Sequence, residues 1–525
     1  KSTLKFVTFS GTEKTYQAWY GTPEALVYGD SADLQNYIAR NWITGSDSAN
    51  LVSSGRKYNY YTYDNETDNY QQDHYQLHFS HDLATNLNFG GALHYTYGRG
   101  YYEQYRKDDD LADYNLPAVA IGGDTITTSD IIRRRWLDND FYGVTYALNY
   151  MPTGNLTATV GGAWNRYLGG HFGELIWARY ASTSEIRHRY YENDAEKTDF
   201  NIFGKINYQP VSKIGLFADL QFRSINYNFL GFDNDLEQID QSVDFNFWNP
   251  KAGITYSPTQ NHTVYGSYAV GNREPVRDDF TESTPNSRPK HETLHNIEVG
   301  YRTNGKLQVA NVAMQYQAEV NVFNMNYDNQ LVLTGQINDV GAYTRTNIKD
   351  SYRRGVEFAG ALGFAEKVTL SSSLAYSQNK VEGYQEFVDD YDTGEQLIRN
   401  FSEKTDIAFS PEFVSNTELE VRPLKGLELA FIYRTVGKQY LDNTSNEDRV
   451  IPAYQVGDLR FRYRIGFKNV LKELQLGLLV NNVFSEKYAA NGYTFSYIYD
   501  QQLTTENFYY PQATRNFLVS VGLKF

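Results

Sequence analysis

Three stretches of the chain place arginines beside aromatic rings or acids. In "IIRRRWLD", Arg133, Arg134 and Arg135 run into Trp136; in "LIWARY", Trp177, Arg179 and Tyr180 fall within four residues. In "NREPVRDD", Arg273 and Arg277 stand on either side of Pro275. A guanidinium binds carboxylates and catecholates through charge-assisted, often paired, hydrogen bonds. Aromatic faces stack on planar chelates. Such residues suit an anionic, flat ligand. They equally suit a wet protein face, where the arginines would pair with Asp and Glu.

Other chemistry-bearing groups are scarcer. "YDNETDNY" sets Asp64, Glu66 and Asp68 at alternate positions, and "FVDDYDTGE" gathers Asp389, Asp390, Asp392 and Glu395. Oxygen-rich loops of this kind can hold Ca²⁺, but neither has the Gly and terminal Glu spacing of an EF-hand. A solvated loop is the preferred reading, with an external Ca²⁺ as the alternative. His74 and His78 share one strand face, yet four residues of strand separate them by roughly 13 Å, too far for one metal ion. The same spacing separates His291 and His295. There is no G-x-S-x-G elbow, Walker A loop or H-E-x-x-H helix, so an enzyme is not expected.

The elements that must position these residues are strands. The chain has 525 residues with 46 Tyr and 30 Phe but no Cys, so neither a disulfide framework nor a thiolate metal site is available. Its net charge of -15 argues against a nucleic-acid partner. Mean hydropathy is -0.58 and no run of about 18 apolar residues occurs, which excludes membrane-spanning helices but not a membrane barrel, whose strands meet lipid only at alternate residues. Alternation is plain in "GDLRFRYRIGF", where Leu459, Phe461, Tyr463 and Ile465 oppose Arg460, Arg462 and Arg464. Three arginines on one face require water or anions.

The last strand, "RNFLVSVGLKF", puts Phe517, Val519, Val521, Leu523 and Phe525 on one face, expected to meet lipid. Compact turns are predicted at "HDLATNLN", "MPTGNL", "QPVSKIG", "SPTQNHT", "RTNGKL", "FAEKVTL", "RPLKGLEL" and "FKNVLKELQ". Long connections are predicted at 22–69, 105–129, 169–187, 233–242, 382–403 and 443–450. A continuous strand is read over 307–327. "SADLQNYIARNW" is predicted as a short loop helix with Ser31 as its N-cap. Short turns at one end and long loops at the other are the asymmetry of outer-membrane barrels. The fold expected is all-β: a transmembrane antiparallel β-barrel of about 18 strands filling residues 1–525.

Several segments resemble TonB-dependent outer-membrane transporters. They are "LLVNNVFSEKYAANGYTF" with the terminal strand, "YAVGNREPVRDDF", "RPKHETLHNIEVGYR" and "YDNQLVLTGQINDVGAYTRTNIKDSYRRGVEFAG". "NREP" stands where many members read Phe-Arg-Ala-Pro. The opening "TLKFVTFSGTEKTYQAWYGTPE" resembles members of the Bacteroidetes branch. The resemblance implies 22 strands in a complete protein, with a plug domain and TonB-contacting box upstream of residue 1, and a terminal Phe read by the barrel-insertion machinery. It places Arg273 and Arg277 in the extracellular binding-loop region. It implies uptake of a scarce nutrient chelate, a ferric siderophore first, through TonB, with a surface lipoprotein as a further partner. The alternatives are haem, cobalamin, glycan or peptide import, or a passive porin of eighteen strands. His291 and His295 match no haem-receptor motif.

Overall fold

The computed structural model describes residues 1–152, 154–180, 185–281, 288–309, 312–338, 341–468 and 470–525. Eighteen strands of nine or more residues belong to the main antiparallel sheet. Among the described residues no helix is long and apolar enough to cross a membrane. The chain divides into two units.

The first unit holds Lys1–Trp19, Tyr61–Pro210 and Leu216–Ala252. Its strands Ser2–Tyr16, Thr67–Ala84, Leu87–Asp110, Thr128–Tyr150, Leu156–Ala178 and His188–Val211 each pair antiparallel with the next in sequence. Period-two alternation sorts their side chains onto two faces. On one face Leu4 pairs with Phe79, Phe6 with Leu77, Leu77 with Leu93, and Tyr75 with Tyr95, all exposed. On the other face His74 bonds Thr96, His94 bonds Asn165, and Tyr167 donates to Asn139. The predicted histidine pair lies on this polar face, with His74 also bonded to Gln72 and His78 to Gln76.

The second unit holds Tyr20–Tyr60, Val211–Gly215 and Gly253–Phe525. From His262–Arg273 through Glu292–Val309, Val312–Ile337, Tyr343–Phe364, Val368–Glu382, Phe413–Val421, Leu427–Val436, Tyr454–Gly466 and Glu473–Asn481 to Asn516–Lys524, each strand again pairs with the next. Exposed Ile297, Val299, Val320, Val322 and Val356 mark one face. Ion pairs line the other: Arg302 with Glu319 at 2.9 Å, Arg434 with Asp458 at 2.6 Å and Arg464 with Glu428 at 3.5 Å. Arg460 bonds Glu418. The arginine face of "GDLRFRYRIGF" therefore finds anions on neighbouring strands.

The connections hold more structure than the sequence suggests. A separate five-stranded sheet joins Glu395–Asn400, Gln385–Asp390, Ala489–Tyr499, Gln502–Pro511 and Thr22–Pro23. Beside it, Leu441, Ile451, Ala489 and Tyr509 bury together with Val27 and Phe409. The predicted loop helix forms as Ser31–Arg40, but its N-cap is Asp30, not Ser31. The Asp30 carboxylate accepts from Ala32 N and Asp33 N, and Asp33 accepts in return from Asp30 N, a reciprocal cap that fixes the start one residue before Ser31, which is already helical.

Four boundaries differ from the sequence reading. "RTNGKL" is not a turn: Thr303, Asn304 and Gly305 continue the ladder opposite Ala318, Gln317 and Tyr316, and Gly305 lies under the Tyr316 ring. The continuous strand read over 307–327 is instead two strands, ending at Val309 and starting at Val312. The connections predicted at 169–187 and 105–129 are likewise shorter, because their strands run on to Ala178 and Asp110.

Candidate functional site

In the second unit, Arg273 ends its strand opposite Glu292 in the ladder. Its guanidinium bonds the Glu292 carboxylate at 2.9 Å and the Leu331 carbonyl at 3.3 Å, yet its side chain stays 55 % exposed. Tyr327 belongs to the same group, accepting a hydrogen bond from Arg353 and lying within electrostatic reach of Arg273. Arg353 also donates to Ser410 Oγ at 2.8 Å. Arg345 approaches Asp279 at 3.4 Å, and Arg277 lies 3.8 Å from Asp278 in the short helix Arg277–Thr281. Strand parity explains the grouping: Arg273, Glu292, Tyr327 and Arg353 all fall on the polar face, opposite exposed Tyr268, Ile297 and Val356. A phenol among guanidiniums can bind the anionic edge of a flat ligand. Sequence reasoning found Arg273 and Arg277. It missed Tyr327 on Val312–Ile337 and Arg345 and Arg353 on Tyr343–Phe364, strands that only register brings beside Arg273.

The remaining candidates lie in the first unit. Arg133 and Arg134 are consecutive, so they project to opposite faces. Arg133 is buried, donating to Gln104 at 3.0 Å and Tyr114 at 3.1 Å. Arg134 pairs with Glu103 at 2.8 Å and covers the Tyr101 ring at 4.2 Å. Trp136 shares Arg134's face and donates to Glu174 at 2.8 Å. Arg179 pairs with Asp130, Tyr180 N donates to Ser129 Oγ at 3.0 Å, and Trp177 is exposed opposite Ile132. Arg134 and Trp136 therefore belong to the face that carries Leu93 and Tyr95, not to the polar face.

The carboxylates offered for Ca²⁺ do not converge: among the described residues no group of three or more His, Asp or Glu is placed to hold a metal. Glu66 is buried, and burial pushes its carboxyl up to about 7 against the backbone N–H groups of Tyr105 and Tyr63 and the charges of Arg106 and Arg133.

A second feature that the sequence did not disclose is Arg449, fully buried among the connections of the second unit. Its guanidinium bonds Glu386 and Asp442, and reaches Ser496 Oγ at 2.6 Å and Thr505 Oγ1 at 3.3 Å. Burial alone would lower Arg449; the Asp442 and Glu386 carboxylates hold it above its ordinary value. One side chain thus ties three connections together. The only signal was a charged run, "SNEDRV", which reads as solvated surface.

A long antiparallel meander with an apolar exposed face and an ion-paired opposite face is the plan of an outer-membrane transport barrel. The family model described as "TonB dependent receptor-like, beta-barrel" matches residues 18–483, and the chain belongs to that family. Its members are outer-membrane receptors, which are not enzymes. Among solved structures, it is similar to the ferric-catecholate import receptor Fiu from E. coli K12 in its closed form, at TM-score 0.65 and 16 % identity, covering 99 % of this chain and 72 % of that one. It is similar at the same TM-score and identity to the siderophore receptor PiuA from Acinetobacter baumannii, covering 99 % and 71 %. The ferric citrate transporter FecA in its unliganded form matches at TM-score 0.59 and 15 % identity, over 87 % and 62 %.

Proposed function

We infer that this chain is the barrel portion of a receptor that imports a ferric siderophore across the bacterial outer membrane, driven through TonB. The apolar exposed strand faces, including Phe517, Val519, Val521, Leu523 and Phe525, meet lipid. The observation that carries the ligand class is the convergence of Arg273, Arg353 and Tyr327 on one polar face, where guanidiniums and a phenol are presented together. Such a group suits a catecholate or carboxylate chelate, whose charge is spread around a planar edge. The similar structures that handle ferric catecholate, siderophore and ferric citrate support the same class. Haem is the weaker reading, because His295 falls with Ile297 and Val299 on the apolar face and bonds Tyr268 there at 2.9 Å.

The test is growth of a gene-deletion strain in iron-limited medium with catecholate, hydroxamate and citrate chelates, haem, cobalamin or glycans supplied one at a time. A defect confined to one ferric chelate, restored by the intact gene but not in a strain lacking TonB, is expected. A defect confined to haem, cobalamin or a glycan reassigns the cargo, and growth independent of TonB points to a passive pore.

A further inference from the structure

The arginines of the candidate site lean on two short segments of the second unit, 331–333 and 408–410. Arg273 bonds the Leu331 carbonyl, and Leu331 N donates to Glu292 at 3.0 Å. Arg345 stands opposite Leu333 in the ladder. Arg353 donates to Ser410 Oγ, and that hydroxyl donates in turn to the Ala408 carbonyl at 3.0 Å. One side chain joins the two segments. Asn443 is fully buried in the 437–453 connection. Its side-chain carbonyl accepts from Ala408 N at 2.9 Å, and its amide donates to the Leu333 carbonyl at 2.6 Å. The same amide bonds the Tyr384 hydroxyl. A primary amide serves one donor and two acceptors at once, whereas a carboxylate only accepts and a hydroxyl has a single hydrogen to give.

Both sides of this tie are themselves held in place. Asp442 accepts from Thr444 N at 2.9 Å and from Thr444 Oγ1 at 2.6 Å, and Arg449 bonds its other oxygen, which fixes the turn that presents Asn443. Across the tie, Phe409 lies between Ala408 and Ser410 with φ 52. A bulky side chain takes that left-handed conformation only where its surroundings impose it. Phe409 N donates to the Tyr440 carbonyl at 2.9 Å, and its ring meets Tyr343 edge-on at 5.3 Å. The turn that ends in the Arg353 anchor is therefore kept against its own preference. Such support matters because a binding constellation works only when its groups are held to within about 0.5 Å.

We propose that Asn443 is the positioning residue of the ligand site: by locking 331–333 to 408–410 it sets the separation of Arg273 from Arg353, and with it which ferric chelates fit. The inference rests on the reading of Arg273, Tyr327 and Arg353 as the cargo site. The test is the affinity of intact protein, Asn443→Asp, Asn443→Ala and Ser410→Ala for the ferric complexes of a tris-catecholate, a tris-hydroxamate and citrate, read by fluorescence quenching. Hydrogen exchange is followed in the same proteins without chelate. Asn443→Asp keeps the acceptor for Ala408 N and removes the donor to Leu333, while Ser410→Ala frees Arg353 and leaves Asn443 in place. The expected result is a change of about tenfold or more in the ratio of affinities between chelates in all three variants. The segments 331–333 and 408–410 should exchange faster in the Asn443 variants, with the long strands still protected. If Asn443→Ala fails to fold, Asn443→Asp and Ser410→Ala decide. Affinities that fall by one common factor in the Asn443 variants, or that do not change, would reduce Asn443 to a structural residue and overturn the proposal. Binding of none of the three chelates by intact protein would remove the cargo reading instead. Faster exchange confined to 331–333 and 408–410 would then still support the tie, and unchanged exchange would overturn it.

Discussion

Single side chains in this protein are governed by how far each charge is removed from water. Arg449 is buried with two carboxylates, so removing it leaves Glu386 and Asp442 unpaired. Arg449→Met should destabilise the connections of the second unit by about 3–5 kcal/mol, because stranded buried charges cost far more than the pair gains. Limited proteolysis should then cut in the 383–412 and 437–453 connections of folded protein. Glu66 gives a pH dependence of definite sign. Its folded pKa of about 7 exceeds its ordinary 4.5, so the folded state holds a proton that the unfolded chain releases. Stability contributed at this position is intact below about pH 4.5 and is lost as pH rises to about 7, by up to about 3 kcal/mol. Urea unfolding in detergent from pH 4 to 8 should show that slope, and Glu66→Gln should remove it. Neither role was legible in the sequence, where Glu66 lies in a run that reads as a loop and Arg449 in another. Alternation assigns a face; it does not report burial beneath other loops.

The strands obey a simpler rule, because parity along a ladder fixes which face a residue joins. Leu523 pairs with Leu474 and is exposed. Leu523→Arg should cost about 2–4 kcal/mol if this position lies near the bilayer midplane, read as reduced folding into liposomes; wild-type yield would sink the lipid-facing assignment. Gly335 is constrained differently. It has φ +96, and a Cβ there would lie 2.7 Å from the Leu441 carbonyl and 2.8 Å from the Asp442 Cβ. Gly335→Val should therefore loosen the 437–453 connection through a backbone clash, raising its hydrogen exchange while the long strands stay protected. Most strand runs and the tight turns at "FAEKVTL" and "RPLKGLEL" were readable from alternation and turn residues. "RTNGKL" misled because Asn-Gly is a strong local turn signal, yet here the ladder overrides it by continuing to Val309.

For the whole molecule, function depends on residues that meet only when the meander is laid out. Arg353→Ala and Arg273→Ala should each weaken binding of the cognate ferric chelate by about 10–100-fold, the loss expected for a charged hydrogen bond, without changing the yield of folded protein. Titration calorimetry or quenching with the chelate identified by growth checks this, and unchanged affinity in both variants would remove them from the site. Period-two alternation, the Tyr and Phe content, the absence of long apolar runs and the terminal-strand motif determined by themselves an all-β outer-membrane barrel of about eighteen strands, because each is a local property of a pleated chain. Only the tertiary structure decided that Arg273, Tyr327 and Arg353 share a face, that Arg134 and Trp136 belong with the apolar side chains, and that the long connections pack into a second sheet around Arg449. Those outcomes depend on register between strands tens of residues apart, which no local pattern carries.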